Sequence, residues 1–211
     1  MVKCVVLCVM IKLVPTHFRQ NGDYDNMTTV KTTKKEKTAF MTRCALLAAL
    51  ICIMSPISFA IGPVPISLGL FAVMLCGVVS DVKSSVVSVI VFVLLGACGL
   101  PVFSAAQGGA AVIAGPTGGY IWSYILSAAV ISFICRAGEK RSIIKSFAAC
   151  IVGTAVCYTF GTIQFLAVTG KYTLIDALAK CVFPFIAVDI VKSVVAAIIG
   201  ENVSRRLPKN R

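Results

Sequence analysis

The chain has 211 residues, of which 58% are hydrophobic and only 13% charged. Soluble domains carry about 25% charged residues, so this composition excludes an ordinary water-soluble globular domain. The net charge of +12 does not indicate nucleic acid, because the basic residues gather in short segments between apolar stretches, where Lys and Arg hold loops on the cytoplasmic side of a membrane.

Residues 1–37 read as a basic, disordered N-terminal tail. The run MVKCVVLCVMIKLV is too short to span a bilayer and no small-residue cleavage site follows it; Met27 is an alternative start. The segment KTTKKEK (31–37) is disordered or lies at the membrane surface. Residues 38–205 read as one membrane domain, and 206–211 as a basic C-terminal tail. No charge occurs over 44–80, 84–135 or 146–170, and a membrane helix needs about 20 apolar residues. The expected fold is all-α, with six transmembrane helices at about 38–60, 65–80, 84–97, 116–135, 143–168 and 184–203. Pro116 suits a first helical turn. With both termini cytoplasmic, the inner segments hold Lys31, Lys34, Lys35, Lys37, Arg43, Lys83, Arg136, Lys140, Arg141, Lys145 and the C-terminal cluster. The outer loops then hold only Lys171 and Lys180, which is the asymmetry that six spans require.

Two connections stand out. Residues 97–119, ACGLPVFSAAQGGAAVIAGPTGG, are rich in Gly, Pro and small side chains and carry no charge. Non-helical backbone at membrane depth is tolerated only where protein buries it or where it lines a cavity, so a re-entrant-like outer loop is expected after the third span. Residues 172–183 place Leu174, Ile175, Leu178 and Val182 on one helical face and Asp176 and Lys180 on another, a short amphipathic helix on the outer surface.

Within FPFIAVDIVKSVV (183–195), Asp189 and Lys192 lie about 8 Å and 12 Å into the last span at 1.5 Å per residue. Their i, i+3 spacing puts them on one face. Each charge in lipid costs several kcal/mol, so both must face the bundle interior. Two readings stay open: a polar ligand site reached from outside, or an ion pair that only clamps helices together. In GPTGGYIWSY (115–124), Gly118 and Gly119 admit close approach, Thr117 and Tyr120 are pocket candidates, and Trp122 and Tyr124 read as an interfacial aromatic belt. Tyr158 and Gln164 are polar groups in an apolar helix, placed to meet a ligand or to bond another helix. Ala45, Ala48, Ala49 and Cys52 form a small-residue face for packing or for docking another membrane subunit. The ten cysteines contain no C-x-x-C pair and the one histidine, His17, lies in the tail, so the embedded cysteines read as small hydrophobes and no metal site is expected. No P-loop, H-E-x-x-H or G-x-S-x-G occurs; the chain reads as neither an enzyme nor a self-sufficient ATP-driven pump.

The runs VPISLGLFAVMLCGVVSD, GACGLPVFSAAQGG, GPTGGY and PFIAVDIVKSVVA, in this order and spacing, resemble the BioY family, the biotin-binding S components of energy-coupling factor (ECF) vitamin transporters. The resemblance covers about residues 40–205. It implies capture of biotin in an outward-open pocket of a multi-pass cell-membrane protein. Asp189 and Lys192 match the family's D-x-x-K, which holds the biotin head group, and the loop from Gly99 to Gly119 matches the lid. Phe103, Tyr120 and Tyr158 would surround the apolar ring and chain. Gln107, in SAAQGG, stands where relatives are glycine-rich or carry other polar residues, and joins the pocket candidates. Lys171 and Lys180 are the cations available to the biotin carboxylate. The Ala45/Ala49 face matches the surface that docks on the transmembrane coupling subunit, which carries two cytoplasmic ATPases. ATP would be used only there, and the chain itself would need no cofactor. Another vitamin or a biotin precursor is the alternative ligand; a structural membrane protein with an Asp189–Lys192 clamp is the alternative class.

Overall fold

The computed structural model describes residues 28–60, 65–137, 142–170, 173, 175 and 183–206. The chain divides into two units, Met1–Lys37 and Thr38–Arg211, and the bundle and the site described below lie in the second. The first helix, α1 (Thr28–Met54), begins inside the segment expected to be a tail. It buries Cys44, Leu47, Ala48 and Ile51, the i, i+3, i+4, i+7 stripe of a helix with one apolar face against a core. It stops before Ser55-Pro56 because proline has no N–H to donate and disfavours helical backbone in the residue ahead of it.

The chain then makes what the sequence reading did not foresee. Two short strands, β1 (Ser58–Ala60) and β2 (Pro65–Ser67), pair antiparallel with Ser58 opposite Ser67. Residues 58–60 are therefore not the end of a first span, and the second helix starts at Gly69 rather than 65. Pro65 takes the first position of its strand, where it costs no internal ladder bond.

Helix α2 (Gly69–Val79) is apolar on every side and buried along nearly its whole length, which makes it the central element of the bundle. It turns through Ser80 and Asp81 into α3 (Val82–Ala97). A connection follows with a 3-10 turn at Ser104–Ala106 and a short helix α4 (Ala110–Ala114). Then come α5 (Gly118–Arg136), α6 (Ile143–Thr169) and α7 (Phe183–Arg206). Helix α5 packs along α6 and against α2 and α3, while α7 lies against α2 and α6. Of the amphipathic helix expected at 172–183, all but residues 173, 175 and 183 fall outside the described residues, as do Lys171 and Lys180.

Among the described residues, three helices are long and apolar enough to cross a membrane: Lys37–Met54 within α1, α5 and α6. Two others, α2 and α3, are apolar but short, about 16 Å and 24 Å at 1.5 Å per residue. Helix α7 has the length, but Asp189, Lys192 and Glu201 interrupt its apolar run.

The central packing depends on small residues meeting a large one. Ile131 of α5 is fully buried, and its side chain fills the space beside Gly77 of α2 and Gly153 of α6. A Cβ at Gly77 would stand 2.8 Å from Ile131 Cγ2, and one at Gly153 would stand 2.5 Å from Cδ1. Ser127 Oγ donates to Gly153 O at 2.8 Å, a polar tie across the same close contact, as expected where lipid provides no hydrophobic drive between helices. One end of the bundle is pinned by charge: Arg136 Nη2 lies 2.9 Å and Arg43 Nη1 3.5 Å from the Asp81 carboxylate. At that same end Glu201 of α7 is buried, accepting from Ser146 Oγ at 3.4 Å and from Arg205 Nε at 3.2 Å. The alternating run of the helices puts the hairpin, the 98–117 connection and the start of α7 together at the other end.

Candidate functional site

At that other end, Asp189 and Lys192 lie about 9 Å and 13 Å past Phe183 along α7. They are 5% and 9% exposed. Neither faces outward from the bundle. Lys192 Nζ is 2.9 Å from Asp189 Oδ1 and donates to the Ser67 carbonyl oxygen at 2.9 Å. Tyr158 of α6 donates its hydroxyl to Asp189 Oδ2 at 2.5 Å. The pair is thus braced by β2 on one side and α6 on the other, the additional bonding a buried ion pair needs to offset its desolvation. The bonding is not exhausted. An ammonium has three N–H donors and each carboxylate oxygen has two lone pairs. One donor is spent on the Ser67 carbonyl, and the ion contact leaves Asp189 Oδ1 without a hydrogen-bond partner, so both groups retain bonding capacity.

The pair forms one wall of a cavity of about 220 Å³. Pockets for drug-sized ligands run about 300–1,000 Å³, so this one fits a compact guest. Beside the charges stand the hydroxyls of Ser67 and Tyr124, 3.5 Å apart. Leu70, Phe103, Tyr120, Ile121 and Phe185 add apolar and aromatic surface, and Ser104, Ala105, Gln107 and Thr117 complete the lining from the connection between α3 and α5. The arrangement offers a charged donor, a charged acceptor and hydroxyls at one side, with rings around them. It suits holding a small polar head on an apolar body.

Of the residues singled out from the sequence, Asp189, Lys192, Tyr158, Tyr120, Thr117, Gln107 and Phe103 all line this cavity. Gly118 and Gln164 do not. Gln164 Nε2 donates to the carbonyls of Ile113 at 2.9 Å and Gly115 at 3.0 Å, so its amide is used in fastening the C-terminal end of α4 to α6. Gly118 makes room for that fastening: a Cβ there would stand 1.7 Å from Ile113 O and 2.6 Å from Gln164 Nε2. Tyr124 corrects the belt reading. It is 7% exposed, stacks on Phe92 at 6.5 Å between ring centroids and lines the cavity, whereas Trp122 is 51% exposed as expected of a belt residue. On α1, Ala45 and Ala49 are exposed but Ala48 is buried, because it belongs to the core-facing stripe; it cannot be part of a docking face.

Sequence reasoning missed Ser67, Leu70, Tyr124, Cys157 and Phe185. A signal existed for Phe185, which precedes Asp189 by four residues and Lys192 by seven and so shares their face. None existed for Ser67, whose contribution to Lys192 is a backbone carbonyl.

The connection that covers the cavity is tightly tied. Phe103 is buried with its ring over Gly96, where a Cβ would stand 2.1 Å from the ring, and meets Phe92 edge-to-face at 5.6 Å. Phe103 N–H donates to Gln107 O at 2.9 Å, and Gly109 N–H to Gly96 O at 2.7 Å. Gly109 can do so because its φ of 102° suits a residue without Cβ. Between these ties Ala105 and Ala106 take φ of 57° and 55°. Left-handed backbone costs an L-residue with a Cβ roughly 1–2 kcal/mol. The Ala105 N–H donates to Ser58 Oγ of β1 at 2.8 Å.

Comparison with known proteins bears on this arrangement. The model of the family described as the BioY family matches residues 26–209. A biotin transporter BioY of Thermotoga maritima is 37% identical over 160 residues, 76% of this chain and 92% of that protein. A probable biotin transporter BioY of Pyrococcus horikoshii is 38% identical over 159 residues, 75% of this chain and 92% of that protein. Among solved structures, the S-component for biotin from an ECF-type ABC transporter superposes with a TM-score of 0.73 at 24% identity, covering 86% of this chain and 96% of that one; it shares this fold.

Proposed function

The chain belongs to the BioY family, and from that premise we propose that it captures biotin in the cavity above Asp189 and Lys192 and delivers it across the membrane. The observation that carries this reading is the unspent bonding of a buried ion pair at the wall of a compact cavity. Biotin's ureido group has N–H donors and a carbonyl acceptor. The donors complement the free lone pairs of Asp189, and the carbonyl complements the remaining N–H of Lys192. The fused rings would lie among Leu70, Phe103, Tyr120 and Phe185, with the valeryl chain toward Gln107 and Thr117.

The same reading gives six spans with both termini inside and the cavity facing out. It is supported by the basic end of the bundle, with Arg43, Arg136, Arg205 and Arg206, lying opposite the cavity. Helices α2 and α3 count as spans despite their length because neighbours bury α2, α3 turns Ile90, Val91, Leu94 and Leu95 outward, and the connections at their ends fill the remaining depth. Helix α7 counts because its charges are turned inward. The exposed Ala45/Ala49 side of α1 docks a transmembrane coupling subunit that bears two ATPases. ATP acts there only, and this chain works without a cofactor of its own in the cell membrane.

Titration calorimetry of the purified protein with biotin tests the proposal. Saturable one-to-one binding that disappears in the Asp189→Ala/Lys192→Ala double variant is expected. An absence of saturable binding, or undiminished binding in the double variant, would refute it. The direct 2.9 Å contact within the pair favours one rival, a helix clamp without a ligand. That rival requires Asp189→Leu/Lys192→Leu to retain biotin uptake in cells.

A further inference from the structure

The cavity's covering turn is held by a residue that is not part of the cavity. Ser58 sits on the outer-end hairpin, and its Oγ accepts the Ala105 N–H at 2.8 Å. Ala105 lines the cavity and Ala106 adjoins it, and both are left-handed, at φ of 57° and 55°. Two consecutive alanines persist in such backbone only where their surroundings over-determine them. What determines them is limited. The Phe103–Gln107 bond closes the base of the turn, Phe103 is wedged over Gly96, and Ser58 holds the tip. Beyond the turn, α4 is fastened separately by Gln164. Among the described residues, the turn is thus fixed at both flanks and has one side-chain catch at its strained middle.

The hairpin that carries this catch also holds the ligand site. Ser58 pairs with Ser67 across the two strands, and the Ser67 carbonyl accepts from Lys192 Nζ. Ser58 thus stands directly across the ladder from the residue whose carbonyl receives the ammonium.

We propose that Ser58 is a positioning residue for ligand retention: its hydroxyl catches the Ala105–Ala106 turn over the cavity, and release of that catch lets the strained pair relax and the ligand leave. This rests on the reading of the cavity as a biotin site, and two measurements separate the two ideas. The first needs no ligand: hydrogen exchange of residues 104–109 in the full-length protein. Ser58→Ala is expected to speed exchange there about fivefold, the loss of roughly one neutral hydrogen bond, while α5 and α6 stay protected. Ser58→Thr, which keeps the hydroxyl, restores protection. Unchanged exchange over 104–109 in Ser58→Ala overturns the catch, whether or not biotin binds.

The second measurement is the dissociation rate of labelled biotin. Ser58→Ala speeds release by a similar factor. Ala106→Gly slows it about fivefold or more, because glycine holds the left-handed turn without the Cβ penalty. Faster release from Ala106→Gly, or equal release from Ser58→Ala and the parent protein, overturns the proposal. If the parent protein binds no biotin, the ligand assignment fails and the exchange measurement alone decides the catch.

Discussion

Tyr158 stands closest to the chemistry without carrying charge. Its hydroxyl donates to Asp189 Oδ2, which aims the other carboxylate oxygen at Lys192. Tyr158→Phe is expected to weaken biotin binding about tenfold by calorimetry, since a hydrogen bond to a charged group contributes roughly 1.5–3 kcal/mol. Removing one member of the pair should do more. Asp189→Asn leaves an ammonium buried beside a neutral amide, and breaking a buried pair costs about 3–5 kcal/mol. Its thermal unfolding midpoint in detergent should fall further than that of Asp189→Leu/Lys192→Leu, which leaves no orphaned charge. The pair was legible in the sequence because two charges in an oily run are conspicuous and their spacing fixes a common face. Tyr124 was not, because an aromatic near a span end looks the same whether it points to lipid or inward. Gln164 was legible as a polar group that matters but not as a clasp, since its partners are main-chain carbonyls of Ile113 and Gly115.

Among the elements, α4 and the hairpin are the ones that sequence periodicity concealed. The hairpin replaces the expected end of a first helix because Pro56 breaks the helix and Pro65 lacks the N–H that a resumed helix would need, and two serines then find roles that depend on strand pairing. Helices α5, α6 and α7 were legible to within a few residues, as their apolar runs end at charges or prolines; α1 was not, since it starts and ends well ahead of the expected span. Helix α4 is five residues long and has no periodicity to read. Its position depends on Gln164. Gln164→Leu deprives two carbonyls of their donor, so hydrogen exchange over 110–117 should rise and biotin affinity should drop several-fold, while α5 and α6 stay protected. An unaltered exchange pattern would show that α4 is held by its apolar contacts instead.

For the whole molecule, the exposed strip of α1 and the buried block behind it divide the work. Ala45→Trp/Ala49→Trp adds bulk to the exposed strip alone and should leave biotin binding intact while abolishing uptake in cells that supply the coupling subunits; normal uptake would place the docking face elsewhere. Ile131→Ala removes the side chain shared by three helices and should cost about 2–5 kcal/mol of stability, read as a lower unfolding midpoint with the proposed ligand site chemically unchanged. That shared isoleucine has a mechanical consequence. A single branched residue lodged against Gly77 and Gly153 keys three helices at one point, as a pin keys stacked plates. None can slide along another without dragging the rest. Passage of a solute between these three helices would require the pin to be withdrawn.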